Sequence, residues 1–339
     1  MKAIVYDRPY AYRYTDLPDP EPGPDEVRLR VRSAGVCGTD AHLHRGEFSP
    51  RYPLTPGHEV VGEVESLGEG VTALAVGQRV ALNNRVSCGS CANCRRARPA
   101  FCTRLRDHGV TRPGGFAEMI VVPASHCHPA DDIPLDVVAF AEPVACAVHG
   151  MDVLAPQPGS DVLVFGAGTT GLLLAQLLAG SGAGRVTVAA PTEAKLKLAR
   201  DFGADETVVM DRDDSSASLG ALRALAPEGF DTVVDATGAL TVIEQCLPLT
   251  RDGGTVFLYG MAGERERVEL SPHEIFSREL TIRGSFTQAF SFDRALRVLR
   301  TGRVRTDGMI THRFGLDSYG AALDAVRDDR GCIKAVIHP

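Results

Sequence analysis

Apolar residues along the chain fall into two textures. In the first part they come as short alternating runs broken by proline and glycine: 27–36 alternates, and 60–67, 79–82 and 116–122 follow. Such runs predict a compact β-rich domain, because alternation puts one face of each strand in a core. From Asp161 the runs become solid, and helical stretches separate them. Strands are expected at 162–165, 186–188, 208–209, 232–234 and 256–258, with helices at about 170–178 and 193–202. Strands apolar on both faces, alternating with helices, predict an α/β fold with a doubly wound parallel sheet. After Gly284 an amphipathic helix at 292–300 precedes a strand at 332–337, whose place is back in the β-rich domain. That domain is therefore expected to be discontinuous, 1–148 with 286–339, around a second domain at 149–285. The stretch Pro18 to Pro24 reads as a turn between early strands, and no internal repeat is visible.

Composition narrows the function classes. The 339 residues are enough for two domains with separate cores, and 44% hydrophobic with 23% charged residues is the balance of a folded enzyme. The net charge of −7 disfavours nucleic acid as a partner, since phosphate binding needs a concentrated positive surface. Residues Met1 to Arg8 lack the apolar stretch of a secretory signal, and no apolar run approaches the roughly 18 residues that span a bilayer. The cytoplasm is the expected location, with no membrane partner. In that setting the nine cysteines are expected to be metal ligands or reduced core residues rather than disulfides.

Cys88, Cys91, Cys94 and Cys102 form C-x2-C-x2-C-x7-C. Four soft thiolates this close can surround one tetrahedral Zn²⁺ in a closed, structural site. The spacing also suits an iron–sulfur cluster. Arg95, Arg96 and Arg98 read as a solvated loop rather than a nucleic-acid-binding ribbon. A second constellation can be assembled from Cys37, His58, Glu59 and Glu142. Cys37 ends a strand in Gly35-Val36-Cys37-Gly38-Thr39-Asp40, and His58-Glu59 follows the turn Pro56-Gly57.

The strings AGVCGTDAH, YPLTPGHEVVGEV, CGSCANCRRARPAFC and AFAEPVACAVHG closely resemble zinc-containing medium-chain dehydrogenases, especially sorbitol, arabinitol and threonine dehydrogenases. The resemblance runs from the first strand to the last. It implies a GroES-like zinc-binding catalytic domain beside a Rossmann domain, with Cys37, His58 and Glu59 as catalytic zinc ligands. Glu142 would be a fourth ligand or the holder of a metal-bound water. It further implies a dimer or tetramer joined by edge strands of the cofactor domains. Independently of the family, an open zinc position makes an alcohol acidic enough to form alkoxide near neutral pH, and alkoxide expels hydride. Thr39 and His42 are placed to carry the proton out, as their counterparts do in similar enzymes. Asp40 is expected either to orient a neighbouring group as a hydrogen-bond acceptor or simply to cap the turn, and His44 to be an exposed loop residue.

Gly166-Ala167-Gly168-Thr169-Thr170-Gly171 matches G-x-G-x-x-G between an apolar strand and a helix, the dinucleotide fingerprint. Its glycines let the backbone approach a pyrophosphate at a helix N-terminus. Ala190 stands where related enzymes show an aspartate that binds the adenine ribose. Losing that carboxylate removes repulsion toward a 2′-phosphate, with Thr192 and Lys195 as candidates to hold one. The choice between NAD and NADP stays open, leaning slightly to NADP or dual use. Thr237, Gly260 and Phe286 complete the expected cofactor contacts. The substrate implied is a small polar alcohol or ketone of the polyol kind, met by Glu142, Thr39, His42 and Gln288. GSFTQAFSFDRAL is closer to arabinitol-type than to threonine-type enzymes. An amino alcohol or a cyclitol is the alternative substrate, and a non-catalytic nucleotide-binding zinc protein the remote alternative function.

Overall fold

A computed structural model describes every residue except Ser49 and Asp213, and the chain divides into two compact units. One comprises Met1–Ala145, Gln288–Gly302 and Thr306–Pro339; the other comprises Cys146–Thr287 with Arg303–Arg305. The breaks lie a few residues from 148 and 286, and the three-residue piece at 303–305 has no counterpart in the sequence reading.

In the first unit the axis of the main sheet is the strand Glu26–Val36. Glu59–Leu67 pairs antiparallel along one edge of it, while Met119–Pro123 and Lys334–Ile337 share the other edge. Arg79–Leu82 and Cys127–Pro129 extend one side, and Ile310–Phe314 lies parallel to Lys334–Ile337 on the other. Glu26–Val36 alternates in burial up to Val31 and is buried on both faces from Ser33 onward, where the chemistry-bearing residues begin. Leu29, Val60, Leu82, Phe116 and Tyr319 fill the core, each buried aliphatic side chain contributing roughly 1.5–3 kcal/mol. The closing strand does return to this sheet, though it starts at Lys334 rather than Cys332. The strand expected at 116–122 starts at Met119, because Phe116 and Ala117 instead meet the N-terminal strand through the Ile4 N–H to Phe116 carbonyl bond and the Ala3↔Ala117 bridge.

The second unit is the parallel sheet that the solid apolar runs imply. Its strands lie in the order Glu206–Val209, Arg185–Ala190, Asp161–Phe165, Phe230–Asp235, Thr250–Leu258, Thr281–Gly284, and every pairing is parallel. Numbered along the chain this is 3-2-1-4-5-6, the doubly wound order whose direction reverses between Asp161–Phe165 and Phe230–Asp235. Helices Thr169–Gly180, Glu193–Asp201, Ser216–Leu225, Leu240–Leu249 and the short Pro272–Ser277 lie in the five crossovers. Thr169–Gly180 is buried from Gly171 to Gln176. Among the described residues no helix is long and apolar enough to cross a membrane.

Candidate active site

Sheet register brings the first set of donors together. Gly35 pairs with Glu59, so Cys37, just past one strand, and His58, just before the other, come side by side. Cys37 Sγ is 3.1 Å from His58 Nε2. Donor atoms of Cys37, His58 and Glu59 all lie within 4.8 Å of one another. Gly57 makes the turn that aims His58: its φ is +96°, and a Cβ there would stand 2.7 Å from the Phe116 nitrogen. His58 and Glu59 are buried. Asp40 is fully buried; its Oδ2 accepts from the Cys37 N–H at 3.0 Å and its Oδ1 lies 3.6 Å from His58 Nδ1. Burial opposes a charge on His58, yet Cys37 and Asp40 outweigh it and hold the imidazole well above its usual range. The donors thus gather negative charge in a dry pocket, the setting that a divalent cation neutralises. Glu142, in the first turn of the helix Ala141–Leu154, lies outside this group of three; it is buried and within electrostatic reach of Lys334.

Thr39, Asp40 and His42 share the helix Gly38–His44, which begins directly after Cys37. Thr39 and His42 are three residues apart and therefore on one face. His42 Nδ1 meets Glu47 Oε2 and Arg45 Nη2. Gln288 is buried and donates to Asn83 Oδ1. His44 differs from expectation: it occupies the last helical turn, half-buried, with Nδ1 2.8 Å from the Tyr6 hydroxyl and edge contacts to Tyr6, Tyr10 and Tyr12. The hairpin Lys2–Arg8/Ala11–Asp16 brings those tyrosines over it, and the short-range pattern around His44 carries no sign of that.

The four cysteines converge. Cys91 Sγ is 3.5 Å from Cys94 and 3.9 Å from Cys102, and Cys88 is 4.0 Å from Cys94. The edge of a zinc–thiolate tetrahedron with Zn–S bonds of about 2.3 Å is about 3.8 Å, so the separations fit. Backbone N–H groups, first that of Ser90, draw the Cys88 thiol down to about 5, while burial raises that of Cys94 to about 11. Arg104 donates to Cys88 Sγ at 3.4 Å. All nine cysteines are free thiols.

In the second unit the glycine turn follows the strand Asp161–Phe165, and Gly168 is the N-cap of the helix that Thr169 and Thr170 open. Gly166 has φ +104°, and a Cβ on Gly171 would stand 1.9 Å from the Gly166 oxygen. One on Gly168 meets nothing within 4 Å, which leaves that side of the turn open to a phosphate. Thr237, just past the neighbouring strand, donates from N and Oγ1 to Asp235, and a Cβ on Gly260 would strike the Gly238 and Thr237 nitrogens. Ala190 ends the strand Arg185–Ala190, Thr192 caps the helix Glu193–Asp201, and Lys195 lies in that helix's first turn. Phe286 is half exposed.

Residues 23–132 match the alcohol dehydrogenase GroES-like domain, and residues 169–301 match the zinc-binding dehydrogenase domain. The chain belongs to the zinc-binding alcohol dehydrogenases. It is 41% identical to D-arabinitol dehydrogenase 1 of Uromyces fabae, over 100% of this chain and 97% of that one. It is 37% identical to D-altritol 5-dehydrogenase of Agrobacterium fabrum, over 93% of this chain and 90% of the relative. Among solved structures, a candidate zinc-binding dehydrogenase of Sinorhizobium meliloti 1021 bound to NADP is 35% identical with a TM-score of 0.90, covering 100% and 99% of the two chains.

Two features of this zinc-binding alcohol dehydrogenase escape the sequence reading. Lys334 is buried and ion-paired with Glu59. Arg85 and Asp107, on the paired two-residue strands Arg85–Val86 and Arg106–Asp107, form a buried ion pair at 3.3 Å, just before Gly109 packs on the Gly57–His58 backbone. A lone lysine inside the apolar run Cys332 to Ile337 was a signal for the first, because a buried ammonium requires a counter-charge. Nothing local marks the second.

Proposed function

We propose that the enzyme oxidises a secondary hydroxyl of a polyol, arabinitol- or altritol-like, to a ketone with hydride transfer to NAD(P), or runs the reverse reaction. The convergence of Cys37, His58 and Glu59 within 4.8 Å carries this reading. Those three side chains would hold a catalytic zinc, with Glu142 adding a fourth donor or anchoring a water beside it. The four cysteines would hold a structural zinc. When bound at the first site, zinc supplies the Lewis acidity that makes a secondary alcohol give up its proton near neutral pH.

The chain's own residues do the rest. Thr39 takes up the proton of the substrate hydroxyl as it gives its own to His42, one turn further, and His42 passes a proton on toward the Glu47 carboxylate. Asp40 holds the Cys37 backbone N–H and places a negative charge beside His58. The turn Gly166–Gly171 holds the pyrophosphate, with Thr237, Gly260 and Phe286 as further cofactor contacts. The absence of a carboxylate at Ala190 supports acceptance of NADP, with Thr192 and Lys195 near its 2′-phosphate. The two polyol dehydrogenases among the relatives support the substrate class.

Initial rates with polyols, a cyclitol and threonine, each with NAD and NADP, test the reading. The highest kcat/KM is expected for a pentitol or hexitol; a higher value for threonine would overturn the substrate class. Metal analysis should find two zinc ions per chain. Cys37→Ser should lose one of them and all turnover while keeping its Tm, whereas Cys91→Ser should lower the Tm. Undiminished turnover in Cys37→Ser would remove the site.

A further inference from the structure

Beside the turn that aims His58, the first unit holds a cavity of about 380 Å³, within the range of sites that take small molecules. Leu17, Pro18, Pro20, Met119 and Ile120 make its walls apolar, and Thr55, His108 and Arg112 are the polar side chains in its lining. Wall and turn share backbone contacts. Gly114, also in the lining, donates its N–H to the Thr55 oxygen at 2.8 Å, and a Cβ on it would stand 2.3 Å from the Gly57 oxygen and 2.6 Å from that of Pro56. Gly115 donates to the Gly57 oxygen at 2.8 Å. What fills the cavity therefore bears on the backbone that sets His58, because a close-packed interior transmits strain.

His108 is the unusual member of the lining. It is 3% exposed, and its Nδ1 lies 3.0 Å from the Pro113 carbonyl oxygen, so Nδ1 carries the proton and Nε2 the lone pair. Nε2 is buried and has no hydrogen-bond partner among the described residues. Burial holds the imidazole below its ordinary range, which keeps it neutral and the acceptor open. A buried acceptor is destabilising until something brings it a proton. Arg112, near enough for its charge to act on His108, forms no ion pair among the described residues. A carboxylate would meet Arg112 but bring no proton to Nε2, and a hydrocarbon would meet the walls alone. One hydroxyl on a flat apolar body answers every feature: it donates to Nε2, accepts from Arg112, and lays its ring against prolines and a guanidinium.

We propose that this cavity is an effector site for hydroxylated aromatic rings of the phenol or naphthol class, and that its occupancy acts on turnover through the turn that aims His58. None of its lining residues belongs to the metal or cofactor sets described above.

Equilibrium dialysis of 2-naphthol against the purified, zinc-loaded enzyme tests the site, with 2-methoxynaphthalene as the probe that has the same rings and no proton to donate. Wild type should hold 2-naphthol at least tenfold more tightly than the ether. In His108→Phe a ring stays and the acceptor goes, so the two probes should bind alike. Leu17→Trp fills the cavity from a half-buried position and leaves His108 in place; it should lose 2-naphthol at least tenfold, and it carries the test should His108→Phe not fold. Saturating 2-naphthol should lower kcat at least twofold at unchanged KM for the alcohol, in wild type and not in Leu17→Trp. Whichever alcohol turns over fastest serves for the kinetics, so the outcome does not depend on the substrate class. Equal affinity of wild type for the two probes, unchanged naphthol affinity in whichever variant folds, inhibition competitive with the alcohol, or an unaffected kcat would each overturn the proposal.

Discussion

Gly171 and Gly168 sit three residues apart in one turn, and alanine substitution should separate what each does. A Cβ on Gly171 stands 1.9 Å from the Gly166 oxygen and 2.8 Å from its carbonyl carbon, while ordinary contact begins near 3.4 Å. Both partners are backbone, so no side chain can swing aside; the helix Thr169–Gly180 must move off the turn by about 1.5 Å. Overpacking of this kind costs about 1–3 kcal/mol. At about 2–4 °C per kcal/mol, the Tm of cofactor-free Gly171→Ala should fall by about 2–12 °C. The displaced helix N-terminus should also forfeit one charge-assisted hydrogen bond, about 1.5–3 kcal/mol, so cofactor binding should weaken by about 10- to 150-fold. Gly168 has φ −78° and open space around its Cβ position. Gly168→Ala should therefore change the cofactor-free Tm by under about 1 °C while still weakening the cofactor about tenfold or more, because its methyl occupies the pyrophosphate's approach. Calorimetry without cofactor, together with fluorescence titration of NADH and NADPH, makes the comparison. Equal Tm losses in the two variants, or a wild-type Tm in Gly171→Ala, would refute the reasoning.

Two further outcomes follow from single positions. Ala190→Asp puts a carboxylate at the end of the strand Arg185–Ala190, and kcat/KM with NADP should drop about tenfold relative to that with NAD; an unchanged ratio would remove Ala190 from the specificity determinants. Burial among the N-terminal tyrosines lowers the pKa of His44 from its ordinary 6.5. The unfolded chain therefore binds the proton more tightly, so the stability contributed by neutral His44 is present above 6.5 and is lost as pH falls through the lowered value. Relative to wild type, the Tm of His44→Gln should decline less between about pH 7.5 and about pH 5. Parallel declines would show that His44 does not titrate against the fold.

Elements were readable from sequence where burial imposes a period. Arg79–Leu82, Phe292–Arg300 and the solid strands of the parallel sheet lie at or near the residues that alternation or continuous apolarity indicates, because each has one face or both in a core. Ile310–Phe314 was not foreseen: its residues are only half-buried or exposed, and nothing in their pattern separates them from a loop. The packing of the N-terminal hairpin on His44 leaves no local trace for a related reason, since Tyr10, Tyr12 and Tyr14 stay partly exposed and set no apolar period. Cys37, His58 and Glu59 could be proposed as a group only because short strings around them are distinctive; the pairing Gly35↔Glu59 that joins them is a long-range fact of register. Arg85 and Asp107 answer to each other across the cysteine lobe, and a contact between residues so far apart in sequence leaves no local trace.

The return of the chain to its first sheet sets an order of assembly. The parallel-sheet unit is nearly continuous in sequence, so it can close while the ribosome is still at work. The strand carrying Lys334 is translated about three hundred residues after the strand it completes, and until then that edge beside Val36 has no partner. A nascent chain can thus possess the thiolate, the imidazole and the carboxylate before it possesses the buried ammonium that pairs with Glu59. Release of the last few residues from the ribosome is therefore what lets that corner of the sheet close and its buried charges neutralise each other.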